Sequence, residues 1–158
     1  MLHRLGGLVL VATLGLMVVA CSPAAIASVL PVPSGPLVTV TTRGGECVNG
    51  PCGSTIVIER DGRVHQVVPQ AADLGALPAE ALGALDGAVK TTNFDAIRAR
   101  KFTGDCPTAY DGQEVIYEFG APTGTERIAS CETEIDPNHS VFAAVTAALR
   151  AVAAQPVS

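Results

Sequence analysis

The chain has 158 residues, ten basic and fifteen acidic side chains, a net charge of −5 and five cysteines. The acidic balance argues against nucleic acid and against charge-driven binding to anionic lipid. Aromatic residues make up 4% of the chain and tryptophan is absent, which disfavours a carbohydrate-stacking surface.

Met1-Leu2-His3-Arg4 is a short segment with one firm positive charge, and Leu5 to Ala20 is a run of sixteen mainly apolar residues interrupted only by Thr13. A spanning helix needs about 20 apolar residues, so the run reads as a signal segment rather than an anchor helix. It ends Val18-Val19-Ala20-Cys21, followed by Ser22-Pro23, and this resembles a bacterial lipobox. The resemblance implies lipidation of Cys21 (a palmitate-bearing lipoprotein) and cleavage before it, leaving the protein held to a membrane on the extracytoplasmic side of the cell envelope. An uncleaved anchor, or an ordinary signal cut after Ala27 in Ala25-Ile26-Ala27, are the alternatives. Losing residues 1–20 removes Arg4 and leaves nine basic against fifteen acidic side chains, a net of −6.

Residues 21–36 carry Pro23, Pro31, Pro33 and Pro36 with almost no charge, the composition of an extended tether. The domain is expected over residues 37–154. Leu37–Thr42 alternates apolar and β-branched residues and predicts a strand. Cys47 and Cys52 bracket Val48-Asn49-Gly50-Pro51, a turn-rich loop. Ser54–Arg60 and Arg63–Val68 predict two strands joined at Asp61-Gly62, a hairpin signal.

Leu77-Pro78 opens a helix, since proline is tolerated in a first turn, and Leu82, Leu85 and Val89 follow at helical spacing. Phe94, Ile97 and Phe102 return to the core through a short turn or helical piece. Gln113–Phe119 is the clearest strand, with Val115, Tyr117 and Phe119 on one face and Glu114, Ile116 and Glu118 on the other. Thr125–Ser130 is its partner. Val141, Val145, Ala148, Leu149 and Val152 form the apolar stripe of a last helix. The order β-β-β-α-β-β-α predicts an α+β fold, a single antiparallel sheet of about five strands with two helices on one face.

Removing Cys21 from the count leaves Cys47, Cys52, Cys106 and Cys131, an even set consistent with two disulfides in an exported chain. The pairing Cys47–Cys52 with Cys106–Cys131 is favoured, and a crosslink from the Cys47/Cys52 loop to Cys106 or Cys131 is the alternative. The Cys-x₄-Cys spacing is not the Cys-x-x-Cys of thiol oxidoreductases, and the spacing does not suit zinc.

Several pieces resemble an uncharacterised bacterial domain family found in secreted proteins and lipoproteins: Gly50-Pro51-Cys52, Ile58-Glu59-Arg60-Asp61-Gly62-Arg63, Asn93-Phe94-Asp95, Cys106-Pro107-Thr108, Val115–Phe119 and Ser130-Cys131. The resemblance covers roughly residues 37–153 and implies the element order and the four structural cysteines. It implies no activity.

The sequence has no nucleophile elbow, phosphate loop or dinucleotide fingerprint, and no pattern points to a metal or another cofactor. His65 and His139 read as surface or capping residues, Arg60/Arg63 and Arg98/Arg100/Lys101 as solvated faces or partners for acids. Two acidic groups, Asp105/Asp111 and Glu132/Glu134/Asp136, would be drawn together by a Cys106–Cys131 bond. The expectation is a lipid-anchored, non-enzymatic binding or accessory module with an envelope protein as partner, of which an inhibitor of an extracellular enzyme is one form. The alternative is an envelope hydrolase using those five acids, since paired carboxylates divide acid and base roles when their environments separate them. A third possibility, thiol–disulfide exchange at Cys47–Cys52, requires a readily reduced bond.

Overall fold

The computed structural model describes residues 34–47 and 50–155. The signal segment, Cys21, the Ala27 alternative and most of the tether lie outside the described residues.

Six strands form one antiparallel sheet: β1 (Val38–Cys47), β2 (Gly50–Ile58), β3 (Arg63–Val68), β4 (Ala72–Ala76), β5 (Glu114–Ala121) and β6 (Gly124–Ala129), in the order β4-β3-β2-β1-β5-β6. Three helices accompany it: α1 (Ala79–Thr91), α2 (Phe94–Arg98) and α3 (Ser140–Ala153), with a 3₁₀ turn at Pro107–Tyr110. The expected class and single antiparallel sheet are observed, but the described residues hold six strands rather than about five and three helices rather than two, the short α2 being the added one. The added strand is β4. Its sequence, Ala-Asp-Leu-Gly-Ala, is poor in β-formers. It forms through pairing with β3, and the Gln155 side chain beyond α3 donates to its Ala76 carbonyl at 2.6 Å.

Register makes one sheet face apolar. Val64, Ile58, Val38 and Phe119 form one cross-strand row; Ile56, Val40, Tyr117 and Ile128 form the next. Leu85 and Val89 of α1, Phe94 and Ile97 of α2, and Val141, Phe142, Val145, Ala148 and Val152 of α3 close over these rows as one core. Each fully buried Leu, Ile, Val or Phe stabilises by about 1.5–3 kcal/mol. Phe119 is fully buried, with its ring centroid 5.1 Å from Phe94 and 6.1 Å from Phe142.

The opposite face carries His65, Val57, Thr39, Glu118 and Arg127 in one row and Thr55, Thr41, Ile116 and Ala129 in the next. Only Ile116 and Ala129 among these are buried. This is the two-faced pattern of an antiparallel sheet covered on one side.

The ten residues of β1 span about 30 Å at about 3.3 Å per residue, so its two ends are well separated. The chain arrives at the Val38 end, where Arg60 donates to the Gly35 and Gly120 carbonyls. Both disulfides lie toward the other end.

Candidate functional site: a disulfide-braced loop end

β1 and β2 form a hairpin whose tip is closed by the Cys47–Cys52 disulfide; Cys106–Cys131 is the second. The favoured pairing is the observed one. The hairpin is longer than the sequence suggested, because pairing continues past a register shift between Arg43 and Glu46. Gly44 and Gly45 take up that shift at φ +90° and +81°, which favours glycine. A Cβ on Gly44 would sit 2.6 Å from Thr108 Cγ2 and 2.9 Å from the Gly112 carbonyl. The glycines therefore let β1 lie against the 3₁₀ turn.

That turn is fixed from within. Pro107 holds the φ of its first residue, Ala109 donates to the Cys106 carbonyl at 2.9 Å, and Gly112 donates to the Pro107 carbonyl at 2.8 Å. Asp111 closes it in the left-handed region at φ 58°, a conformation Asp tolerates better than most residues. Cys106 ties the start of the turn to Cys131, just beyond β6. Arg43 Nε reaches Glu114 Oε2 at 2.6 Å, with Glu114 only 3% exposed, and this pins the hairpin to β5.

Tyr110 projects from this platform. It is 72% exposed, more than Val67 or Val68, the other exposed large apolar residues among those described. Its hydroxyl donates to Asp105 Oδ2 at 3.4 Å. Sequence reasoning missed Tyr110. The available signal was an isolated tyrosine inside a Cys-Pro…Asp-Gly turn.

The five acids singled out from the sequence have different surroundings. Glu132 pairs with Arg127 at 2.8 Å, while Glu134 and Asp136 share Arg100 at 3.6 and 3.5 Å. Asp105 faces Tyr110, and the Asp111 carbonyl lies against Gly45. Among the described residues no group of three or more His, Cys, Asp or Glu side chains is placed to hold a metal ion. His65 lies 3.9 Å from Glu59, and His139 caps α3, its Nδ1 accepting from the Val141 amide. Arg98 bridges Asp95 and Glu126, and these carboxylates hold its guanidinium pKa above the ordinary arginine value.

Two concavities stand out among the described residues. A cleft of about 400 Å³ lies along β3 and β4, lined by Arg63, His65, Gln66 and Asp73 among others. Arg63 is held there by Asp61, whose carboxyl is in turn kept below its usual range by hydrogen bonds from Arg63. A smaller pocket of about 170 Å³ lies between α2 and the start of α3, with Ile97 and Phe142 at its base and Arg100, Glu134, Asp136 and His139 around it. Arg100 already occupies both of that pocket's carboxylates. Among the described residues no buried side-chain nitrogen or oxygen lacks a hydrogen-bond partner. Compared with known proteins, the chain matches no family model, no curated protein and no solved structure.

Proposed function

We propose that the protein is a lipid-anchored module of the bacterial cell envelope that binds another protein through its disulfide-braced loop end, without catalysis of its own. The observation that carries this reading is Tyr110, an aromatic side chain left in solvent on a turn held by a disulfide, a proline and contact with β1. Tyrosine is enriched among residues that dominate binding energy, and rigidity lowers the entropy lost on docking.

The rest of the chain supports the same reading. Two disulfides suit an oxidising, extracytoplasmic compartment. A lipid on Cys21 would hold the protein through a tether that joins the domain at the Val38 end, away from Tyr110. Stable anchoring by lipid takes more than one acyl chain, as lipidation at such a cysteine provides. The likeness to an uncharacterised family of secreted and lipoprotein domains, carried by Gly50-Pro51-Cys52, Cys106-Pro107-Thr108 and Ser130-Cys131, belongs to the proposal as well.

The test is photo-crosslinking in the native envelope, with benzoylphenylalanine placed at Tyr110 or at Thr123 in the β5–β6 turn at the tether end. A discrete protein adduct at position 110 and none of that mass at 123 supports the proposal. Equal adducts at both positions, or none at 110, contradicts it. Intact-mass analysis decides separately between lipidated Cys21 and cleavage after Ala27.

A further inference from the structure

Leu37 is where the sheet takes hold of the incoming chain. It is fully buried, its amide donates to the Ile58 carbonyl and its carbonyl accepts from the Gly120 amide, both at 2.9 Å. Upstream of it, residues 34–36 make one hydrogen bond to another described residue, from Arg60 Nε to the Gly35 carbonyl at 3.1 Å. The same guanidinium donates through Nη2 to the Gly120 carbonyl at 2.8 Å. Arg43, Arg63, Arg98, Arg100 and Arg127 pair with carboxylates, whereas Arg60 is spent on two backbone carbonyls. The turn that carries it is fixed in its own right: the Glu59 amide donates to the Arg63 carbonyl at 2.8 Å and the Gly62 amide to the Glu59 carbonyl at 3.0 Å. Gly120 makes room for the contact. By the alternation along β5 it follows Glu118 on the uncovered face of the sheet. A Cβ there would meet the Arg60 guanidinium and the Pro36 carbonyl, the latter at 2.5 Å. Guanidinium and incoming chain therefore lie on that face, directly over Gly120.

We infer that Arg60 and Gly120 form a clasp that fixes where, and on which face, the chain enters the domain. The ends of a domain are poorly ordered unless tied down. A planar guanidinium ties two carbonyls at once in a set geometry, which an ammonium on a flexible stem does not reproduce. With the clasp closed, the ordered body begins at Gly35 on the uncovered face of the sheet. With it open, the body begins at Leu37 and the direction of entry is no longer set. Arg60 is thus a positioning residue for the domain relative to the chain that precedes it. The inference concerns this joint alone and stands whether or not Cys21 carries a lipid or Tyr110 meets a partner.

The experiment is backbone amide relaxation by NMR on the full exported chain in detergent micelles, comparing the native protein with Arg60→Ala, Arg60→Lys and Gly120→Ala. The Gly35 amide is expected to have an order parameter of about 0.85 in the native protein, as for rigid backbone, and to fall below about 0.6 in all three variants. Gly120→Ala keeps the arginine and fills the space it needs, so it tests the clasp without removing the charge. The Phe142 and Val145 amides of α3 should stay near about 0.85 throughout, which shows that the fold persists. A Gly35 amide already below about 0.6 in the native protein overturns the inference, and so does one that stays rigid in Arg60→Ala. A rigid Gly35 in Arg60→Lys overturns it too, since a single ammonium contact would then suffice. Loss of order in α3 together with Gly35 overturns the clasp in favour of a role for Arg60 in the fold itself.

Discussion

The Tyr110 hydroxyl donates to Asp105 Oδ2 across a turn that begins at the disulfide-bonded Cys106 and closes at Gly112. Ring and carboxylate are both exposed, so this bond adds little to stability. It places the tyrosine hydroxyl and an acid beside each other on the surface of a braced turn. The molecule leaves a tyrosine exposed on a turn braced by a disulfide and a proline, and the proposed contact surface is built on that fact.

The brace should be thermodynamically separable from the core. Replacing Cys106 and Cys131 together by serine opens a loop with a sequence separation of 25. In the chain-entropy account this costs about 3–4 kcal/mol, against about 2 kcal/mol for the Cys47/Cys52 pair, whose separation is 5. Urea denaturation of the two double-serine variants is expected to rank them in that order. The reverse order would mean that the hairpin tip, not the 3₁₀ turn, organises this end.

Arg43→Ala takes the cation away from Glu114, a residue 3% exposed in the native protein. The expected loss is about 1–3 kcal/mol. Adding Glu114→Gln should recover part of it, because the buried charge is then gone. A double-mutant cycle by urea denaturation measures the coupling, and a coupling near zero would remove Arg43 from its role in pinning the hairpin.

Tyr117 connects packing to pH. Its ring stacks on Phe119 at 5.9 Å and tilts against Phe142 at 5.0 Å, and burial pushes its phenol pKa above the usual value of about 10. In the unfolded chain the phenol releases its proton near pH 10, while in the folded protein it keeps it longer. The unfolded state then binds fewer protons, so stability falls as pH rises above about 10 toward the folded value. Tyr117→Phe removes this loss. Denaturation midpoints between pH 9 and 11.5 should decline less in the variant, and parallel declines would show that other groups carry the alkaline limb.

Much of the fold is legible in the residues. The alternation in Val115, Tyr117 and Phe119 gives the face of β5 that packs against the core, though Glu114 and Ile116 on the other face are buried as well, and the spacing of Val141, Val145, Ala148 and Val152 gives the buried stripe of α3. Asp61-Gly62 marks the β2–β3 turn. Phe142 is buried beside that stripe and was not anticipated, since it follows Val141 directly and sits at the edge of the helical period. β4 was not legible, because alanine, aspartate and glycine carry no strand signal and its backbone is paired by β3, with one further hydrogen bond from Gln155. The same limit hid the candidate site. Pairing the cysteines predicts that the Asp105 and Cys131 regions meet, and reading Arg98/Arg100/Lys101 as partners for the acids covers the Arg100 pairs with Glu134 and Asp136, but neither predicts that Glu132 turns to Arg127. Nor does spacing reveal that Gly44 and Gly45 seat β1 against the turn that carries Tyr110.

The central claim is that the braced end is a contact surface rather than a structural one. Tyr110→Ala tests it most directly, with denaturation midpoint and affinity measured on the same preparation against the partner identified by crosslinking. Stability should change by less than about 0.5 kcal/mol, as for other exposed positions. Affinity should fall about 30-fold or more, the loss expected of a hot-spot aromatic. Unchanged affinity with unchanged stability would contradict the account, and so would a loss of stability large enough to place Tyr110 in the fold itself.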